Sequence, residues 1–217
     1  MFRNIIVFFI IFSFNSSNLL ADNIDVFEFS KEGIKKLEIR KVRGAKSETK
    51  YSIDNNENGS YLRAEASGGA SGLGKELKIN LDKSPFLNIT WKVEKDLKGI
   101  NEKSKKGHDY AARVFVIKKT GLTPLSNKTI NYVFSSNNKV NDYWRSPYTK
   151  SSIDYVLSTT QENLNEWVTV KANVKNHFKL LHNLDVHEIT GVAVMTDSDQ
   201  SKINAVAYYQ NIYFSSN

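Results

Sequence analysis

The chain has 217 residues, no cysteine and a formal net charge of +7 at neutral pH. Without cysteine no disulfide can stabilise the fold, so stability must come from a packed core, for which this length is sufficient. The lysines are dispersed from Lys31 to Lys202, and no nucleic-acid-binding motif accompanies them. Specific nucleic-acid binding is therefore not predicted, and solvated strand edges and loops account for the charge.

The first 21 residues differ from the rest of the chain. Arg3 precedes the apolar run Ile5–Phe14, and a polar stretch then leads to the small residue Ala21. This order is typical of a secretory signal peptide, and the run is shorter than the roughly 20 residues that a membrane anchor needs. We predict a signal peptide over residues 1–21 and a single domain over residues 22–217. The mature protein would be periplasmic or secreted, with no membrane span.

Most of the remaining sequence reads as short strands separated by turn signals. They are predicted, in chain order, at Ile24–Phe29, Lys50–Asp54, Ser60–Ala66, Phe86–Glu94, Tyr110–Lys118, Thr129–Ser136, Ser151–Ser158, Glu166–Val174, Glu188–Thr196 and Ala205–Phe214. Strict alternation of apolar and polar residues marks Phe86–Glu94 as half-buried. Tyr110–Lys118 is apolar on both faces except at Arg113 and its last residue, which predicts a central strand.

Helices are few in this pattern. Asn173–Asn183 has apolar residues at helical spacing after a plausible N-cap, and Lys31–Leu37 could form one short turn. The glycine-rich stretch Ser67–Gly74 lacks the features of a phosphate-binding loop, so we expect a mobile loop or bulge there. About ten strands with one or two short helices predict an all-β fold, an antiparallel β-sandwich of jelly-roll type.

Six segments in a fixed order resemble one family of secreted bacterial proteins, known only as a domain of unknown function. The segments are Leu87–Glu94, His108–Val116, Ile130–Ser136, Arg145–Tyr148, Gly191–Gln200 and Ala205–Phe214. The resemblance covers Ile24–Phe214 and implies a β-sandwich akin to carbohydrate-binding modules and galactose-binding-like domains, with no known reaction.

The chain departs from this family at two positions. His108-Asp109 stands where the family usually has paired aspartates, and Gln210-Asn211 stands where it often has glycine-aspartate. Each change removes a carboxylate that a metal or acid role at that position would need.

Asp197 and Asp199 are the candidate metal ligands. Calcium prefers several oxygen ligands, and an Asp-Ser-Asp turn offers two carboxylates beside Ser198 and Gln200. The glycine and closing glutamate of an EF-hand are missing, so the turn is at most part of a structural calcium site. The alternative is a polar turn in which each aspartate accepts local backbone N–H groups.

Candidate ligand-binding residues lie on one strand and one aromatic loop. Arg113 on a central strand must find a partner, which is either a carboxylate of a neighbouring strand or a ligand. In the segment Asn141–Tyr148, aromatic rings stand beside arginine and proline, which suits stacking on the apolar face of a sugar; a loop folded over the core is the alternative. The predicted ligand-binding residues are Asp109, Arg113, Tyr132, Trp144, Arg145 and Tyr148.

Catalytic motifs are absent from the sequence, so an enzyme is not favoured. Carboxylates for glycan hydrolysis could come together only in space, from Glu65, Glu94, Asp109 or Asp154. The leading hypothesis is a non-catalytic module that binds a glycan or a related polyhydroxylated ligand. The alternatives are an envelope protein that binds another protein and, less favoured, a glycan hydrolase.

Overall fold

The computed structural model of the chain describes residues 23–123 and 126–217. The predicted signal peptide therefore lies outside the described residues. Among the helices within those ranges, none is long and apolar enough to cross a membrane.

The described residues form thirteen strands in two sheets. The six-stranded sheet contains β1 (Ile24–Asp25), β3 (Lys50–Asn56), β4 (Gly59–Ser67), β6 (Phe86–Lys95), β11 (Val168–Asn173) and β13 (Asn204–Ser215). The seven-stranded sheet contains β2 (Glu38–Lys41), β5 (Ala70–Asn80), β7 (Ala112–Lys118), β8 (Lys128–Ser135), β9 (Tyr143–Arg145), β10 (Ser152–Thr159) and β12 (Glu188–Asp197). The spatial orders are β11-β6-β13-β4-β3, with β1 beside β13, and β2-β5-β12-β7-β8-β10-β9.

Three short α-helices accompany the sheets: α1 (Lys31–Lys35), α2 (Thr160–Asn163) and α3 (Val174–His182). The predicted N-cap of α3 is confirmed, because the Asn173 side chain accepts a hydrogen bond from the Asn176 amide at 3.0 Å. The apolar face of this helix buries Phe178 and Leu181 in the core.

The predicted β-sandwich is confirmed, with one parallel pair among its antiparallel neighbours. β10 lies parallel to β8, so the chain between them returns from the end of β8 to the opposite end of the sheet before β10 begins. β9 forms within this connection and closes the sheet as its edge strand. The aromatic segment predicted as a loop thus contributes three residues to a sheet.

The expectation of a mobile loop at Ser67–Gly74 is wrong. β5 begins inside this segment and is a long inner strand between β2 and β12. Leu73 supplies the core-facing side chain, whereas Gly72 and Gly74 lie on the other face, where no core packing requires a side chain. Small residues concealed the period of two that a strand normally shows.

Side chains along β7 alternate between the two faces of the sheet, and this places the candidate site on the outward face. Val114 and Val116 face the core between the sheets, and Arg113, Phe115 and Ile117 face outward. The outward face of the seven-stranded sheet therefore carries an arginine flanked by apolar side chains, a composition unlike that of an ordinary solvated sheet face.

Tyr209 connects the two sheets through its hydroxyl group. This side chain belongs to β13, yet its hydroxyl donates to the Met195 carbonyl at 2.6 Å and accepts from the Arg113 amide at 3.2 Å. Pairing between β7 and β12 ends at these two residues. The tyrosine of one sheet thus satisfies backbone groups at the end of a strand pair in the other.

Tyr209→Phe should lower the free energy of unfolding by about 1–3 kcal/mol, because the Met195 carbonyl and the Arg113 amide lose a buried partner. Urea unfolding should show a lower midpoint with an unchanged slope. Tyr213→Phe on the same strand is the matched control, since the Tyr213 hydroxyl forms no hydrogen bond within the described residues. Equal stability of the two variants would show that the hydroxyl bridge contributes nothing.

Candidate ligand groove

An open groove of about 480 Å³ crosses the outward face of the seven-stranded sheet. Its polar part, called here the polar groove, is lined by His108, Arg113, Asn131, Tyr148, Asp197 and Asp199, with Phe115, Ile117 and Met195 as apolar neighbours. Ligand sites commonly combine apolar walls with a few fixed polar groups, and this groove has both.

Arg113 forms an ion pair with Asp197 at the base of the polar groove. Its Nη2 atom donates to Asp197 Oδ2 at 2.5 Å, and the two residues are only 5% and 2% exposed. Asp197 lies two residues beyond Met195, the register partner of Arg113 on β12, so the pairing is diagonal across adjacent strands. The two expectations for Arg113 are therefore not exclusive, since it has a carboxylate partner and also lines an open groove.

Asp109, Asp197 and Asp199 form an acidic cluster, with one oxygen of each within 4.8 Å of the others. Burial raises the pKa of the Asp197 carboxyl to about 7; the Arg113 guanidinium opposes this shift, and Asp109 adds to it. Of the three carboxylates, Asp197 is the one that forms an ion pair with Arg113 in the described part of the chain.

Protein donors already occupy these carboxylates. Asp109 accepts backbone N–H groups from Gln200 and Ser201, and Asp197 accepts the Tyr110 amide in addition to Arg113. Asp109 thereby holds the turn that follows β12, as expected of an aspartate that caps backbone N–H groups.

A second buried carboxylate fixes His108 and Asn131. Asp154 on β10 is fully buried, and its two oxygens contact His108 Nε2 at 2.8 Å and Asn131 Nδ2 at 2.6 Å. Because the carboxylate is an acceptor, it orients the histidine with Nε2–H toward Asp154, and Nδ1 has no partner in the described part of the chain. The ring of Tyr148 stands edge-on to His108 at a centroid distance of 5.5 Å.

Two buried polar atoms of this network have no partner among the described residues. They are Arg113 Nε, a donor, and Asn131 Oδ1, an acceptor, and both residues line the polar groove. Buried polar atoms in folded proteins are rarely left unpaired, so these two atoms leave hydrogen-bonding capacity unused beneath the groove.

The structure brings together some of the predicted site residues and separates others. Arg113 and Tyr148 line the groove, and Asp109 supports the neighbouring turn. Tyr132 is fully buried on the core face, where its hydroxyl contacts His177 Nδ1. Because its side chain points away from the groove, it cannot belong to a ligand surface there.

The two predicted residues of β9 lie outside the groove lining. Trp144 packs against Tyr110, Val133 and Val156, with the Lys103 ammonium 4.9 Å from its ring centre. Arg145 is exposed and donates to the Lys150 carbonyl at 3.1 Å. The aromatic segment thus contributes its last tyrosine to the groove, while its tryptophan covers a small apolar cluster.

The carboxylates considered for glycan hydrolysis do not converge on one site. Glu65 pairs with Arg63, and Glu94 accepts from the Tyr208 hydroxyl; both glutamates lie on the outward face of the six-stranded sheet. Asp109 and Asp154 lie beside the groove and are held by hydrogen bonds. Sequence reasoning missed Phe115 and Asn131, although the polar Asn131 inside an otherwise apolar strand was a usable signal.

Comparison with known families identifies the chain. The family described as "Protein of unknown function (DUF3047)" matches residues 35–213. The chain belongs to DUF3047. This agrees with the resemblance seen in the ordered segments. A search of curated proteins finds no match for this DUF3047 member.

Solved structures with a similar arrangement of strands include carbohydrate-binding modules and a cellulase. A family 11 carbohydrate-binding module from Clostridium thermocellum is 12% identical, with 89% of this chain and 93% of that chain covered and a TM-score of 0.49. A cellulase derived from Cel12A of Rhodothermus marinus is 8% identical, with 90% and 98% covered and a TM-score of 0.49. At such identities the similarity concerns the fold of this DUF3047 member alone.

The stability of the protein should depend on pH through Asp197. Its pKa is about 7 in the folded state and about 3.9 in an unfolded chain, so the folded state binds the extra proton between these values. The contribution of this group is fully present below pH 4 and is lost as the pH rises through 7, by at most about 1.4 kcal/mol per pH unit.

Asp197→Asn removes the titrating group, so the variant serves as the reference. The difference in unfolding free energy between wild type and variant should narrow as the pH rises from 5 to 8, as measured by urea unfolding. A widening difference would mean that Arg113 keeps Asp197 ionised and that its pKa lies below the usual value.

Proposed function

We propose that this DUF3047 member is a non-catalytic module that binds a glycan in the polar groove. The observation that carries the proposal is the open groove itself, where the exposed Tyr148 ring stands beside polar side chains that buried carboxylates hold in place. Sugar hydroxyl groups can exchange hydrogen bonds with these polar side chains, which an apolar ligand cannot do.

The walls of the groove supply the second element of sugar recognition. Tyr148 is 54% exposed, and Phe115 stands on the central strand, so aromatic surface is available at two positions. The Tyr148 ring is held in place by contact with His108 and by a hydrogen bond from its hydroxyl to the Lys105 carbonyl at 2.8 Å. Such fixed rings suit stacking on the C–H face of a sugar, because little side-chain freedom is lost on binding.

A periplasmic or secreted location completes this proposal. It rests on the signal peptide predicted over residues 1–21, and the absence of cysteine is compatible with either compartment. Fractionation of cells that express the full chain would show whether the protein leaves the cytoplasm and loses its N-terminal segment.

Glycan binding should depend on Tyr148 and not on Tyr143. The two side chains are matched in exposure, at 54% and 56%, but only Tyr148 lines the groove. After a glycan-array screen, calorimetry should show about tenfold weaker binding for Tyr148→Ala, equivalent to about 1.4 kcal/mol, and unchanged binding for Tyr143→Ala.

Two results would overturn this proposal. One is the absence of binding to any cell-envelope or environmental polysaccharide in the screen. The other is binding that Tyr148→Ala leaves intact and Tyr143→Ala removes, which would place the ligand on the edge of the sheet.

The structural calcium expected at Asp197 and Asp199 stays a prediction, now with Asp109 as a third ligand. Bound calcium should raise the melting temperature at millimolar concentration, because only the folded state brings the three carboxylates together. Asp199→Asn is the variant of choice, since it leaves the Arg113–Asp197 ion pair intact. A rise that is lost in this variant supports the site. No rise at millimolar calcium would leave the cluster as a polar turn held by backbone N–H groups.

A further inference from the structure

A second recess lies on the same face of the seven-stranded sheet and continues the polar groove. It encloses about 230 Å³ and shares Val42, Phe115, Ile117 and Met195 with the groove. We call it the apolar trough and define it by its floor and sides, which are formed by Gly72, Gly74, Phe115, Ile117, Gly191, Ala193 and Met195.

The trough is apolar where a sheet face open to solvent is usually polar. Three neighbouring strands, β5, β12 and β7, contribute these positions, and none of the seven side chains carries a charge or a hydrogen-bonding N–H or O–H group. At about 3.3 Å per residue, the span from Gly191 to Met195 along β12 gives a length of about 13 Å. The trough is therefore long and narrow with an apolar floor, although polar residues such as Lys75, Asn127 and Thr190 also line the recess.

The glycine at the open end is not required by the fold. A Cβ atom on Gly72 would have a single neighbour within 4 Å, the Val194 carbonyl oxygen at 3.8 Å. By contrast, a Cβ on Gly74 would lie 2.6 Å from the Ala193 methyl group. Packing explains Gly74, whereas at Gly72 the missing side chain leaves an open space that any larger residue would fill.

Two ion pairs border the trough. Lys119 Nζ contacts Glu76 Oε1 at 2.6 Å, joining β5 to the end of β7 across the β12 position of Gly191. Arg40 and Glu38 pair at 2.9 Å on the edge strand β2. One end of the trough is thus covered by the ion pair between Lys119 and Glu76, and the other end opens into the polar groove.

The dimensions of the apolar trough restrict the kind of molecule that it can bind. A helix is about 10–12 Å across, and a stable protein interface buries about 800 Å² per partner, which a 230 Å³ recess between paired charges does not offer. The apolar floor favours an uncharged, apolar group, and the continuity with the polar groove means that one molecule can fill both.

We propose that the apolar trough binds an alkyl or acyl chain attached to the sugar, so that the ligand class is an acylated or alkylated glycan. This inference rests on the proposed function, which places the sugar in the polar groove. The alkyl chain would displace water from the trough while the sugar hydroxyl groups bind in the polar groove.

The test uses n-alkyl β-glucosides of increasing chain length below their critical micelle concentrations, with glucose and n-alkanols as separate probes. Affinity should rise about fourfold per methylene group until the trough is full, the factor that corresponds to about 0.8 kcal/mol per buried methylene group. Met195 is a direct reporter, because the chain has only two methionines and the other is Met1. The ¹³C-methyl resonance of Met195, assigned with Met195→Leu, should shift with the alkyl probes.

Gly72→Leu should abolish the dependence on chain length and leave glucose binding unchanged. The variant should be at least as stable as the wild type, since a strand glycine is replaced without backbone strain. Thr169→Leu is the control for an added exposed leucine, because Thr169 lies on β11 in the other sheet and should leave chain-length dependence intact.

Each outcome decides one of the two proposals. Sugar binding without chain-length dependence would overturn the trough and leave the glycan groove standing. Alkanols that shift Met195 as strongly as the glucosides, with no binding of glucose or array glycans, would support the trough and overturn the glycan groove. Chain-length dependence that survives Gly72→Leu would overturn the trough, since the chain would then lie elsewhere.

Discussion

A guanidinium on an inner strand of a sheet requires a hydrogen-bond acceptor, and Arg113 finds it in Asp197. Both groups are almost fully buried, so removing either side chain would leave a buried polar group without its partner, a loss that typically costs several kcal/mol. The pair also restricts the surrounding structure. Asp197 lies at the end of β12, two residues after Met195, and Asp109 holds the turn that follows this strand. The end of β12, the turn and the groove therefore depend on the ion pair between Arg113 and Asp197.

The outward face of the seven-stranded sheet divides into two chemical regions along its strands. Near the strand ends that carry Arg113, Asp197 and Asp154, buried charges hold polar groups in fixed orientations. Farther along, glycine and alanine take the place of larger residues, and Phe115, Ile117 and Met195 stand beside them. A rigid sheet can keep the polar and the apolar region separate, because the register of neighbouring strands fixes the position of every outward-facing residue.

The β-sandwich could be predicted from the sequence because the alternation of apolar and polar residues is visible in strands with large side chains. Phe86–Lys95 shows it clearly, and the ordered segments also identified the family. β5 was missed because its outward glycines removed the alternating pattern, and β2 was missed within a basic stretch with little apolar signal. Of these two strands, β5 contributes to the trough and β2 borders it.

The candidate site was only partly predictable, for a physical reason. Arg113 stands out because a charge interrupts an apolar strand, but its partner Asp197 is 84 residues away along the chain and was interpreted as a metal ligand. Trp144 has the composition of a binding residue, yet the register of β9 turns it onto a small apolar cluster. Sequence reveals which residues are unusual, whereas strand order determines which of them meet.

The Tyr209 hydroxyl has a consequence for how ligand binding can be detected. It ties the backbone beneath the groove, at Arg113 and Met195, to the opposite sheet. A ligand that contacts this backbone therefore stabilises both sheets together, and not only a loop that could unfold separately. Ligand binding should thus raise the melting temperature of the whole domain. At a ligand concentration one hundred times Kd, the gain is about 2.7 kcal/mol, enough for libraries of unlabelled compounds to be screened by melting temperature alone.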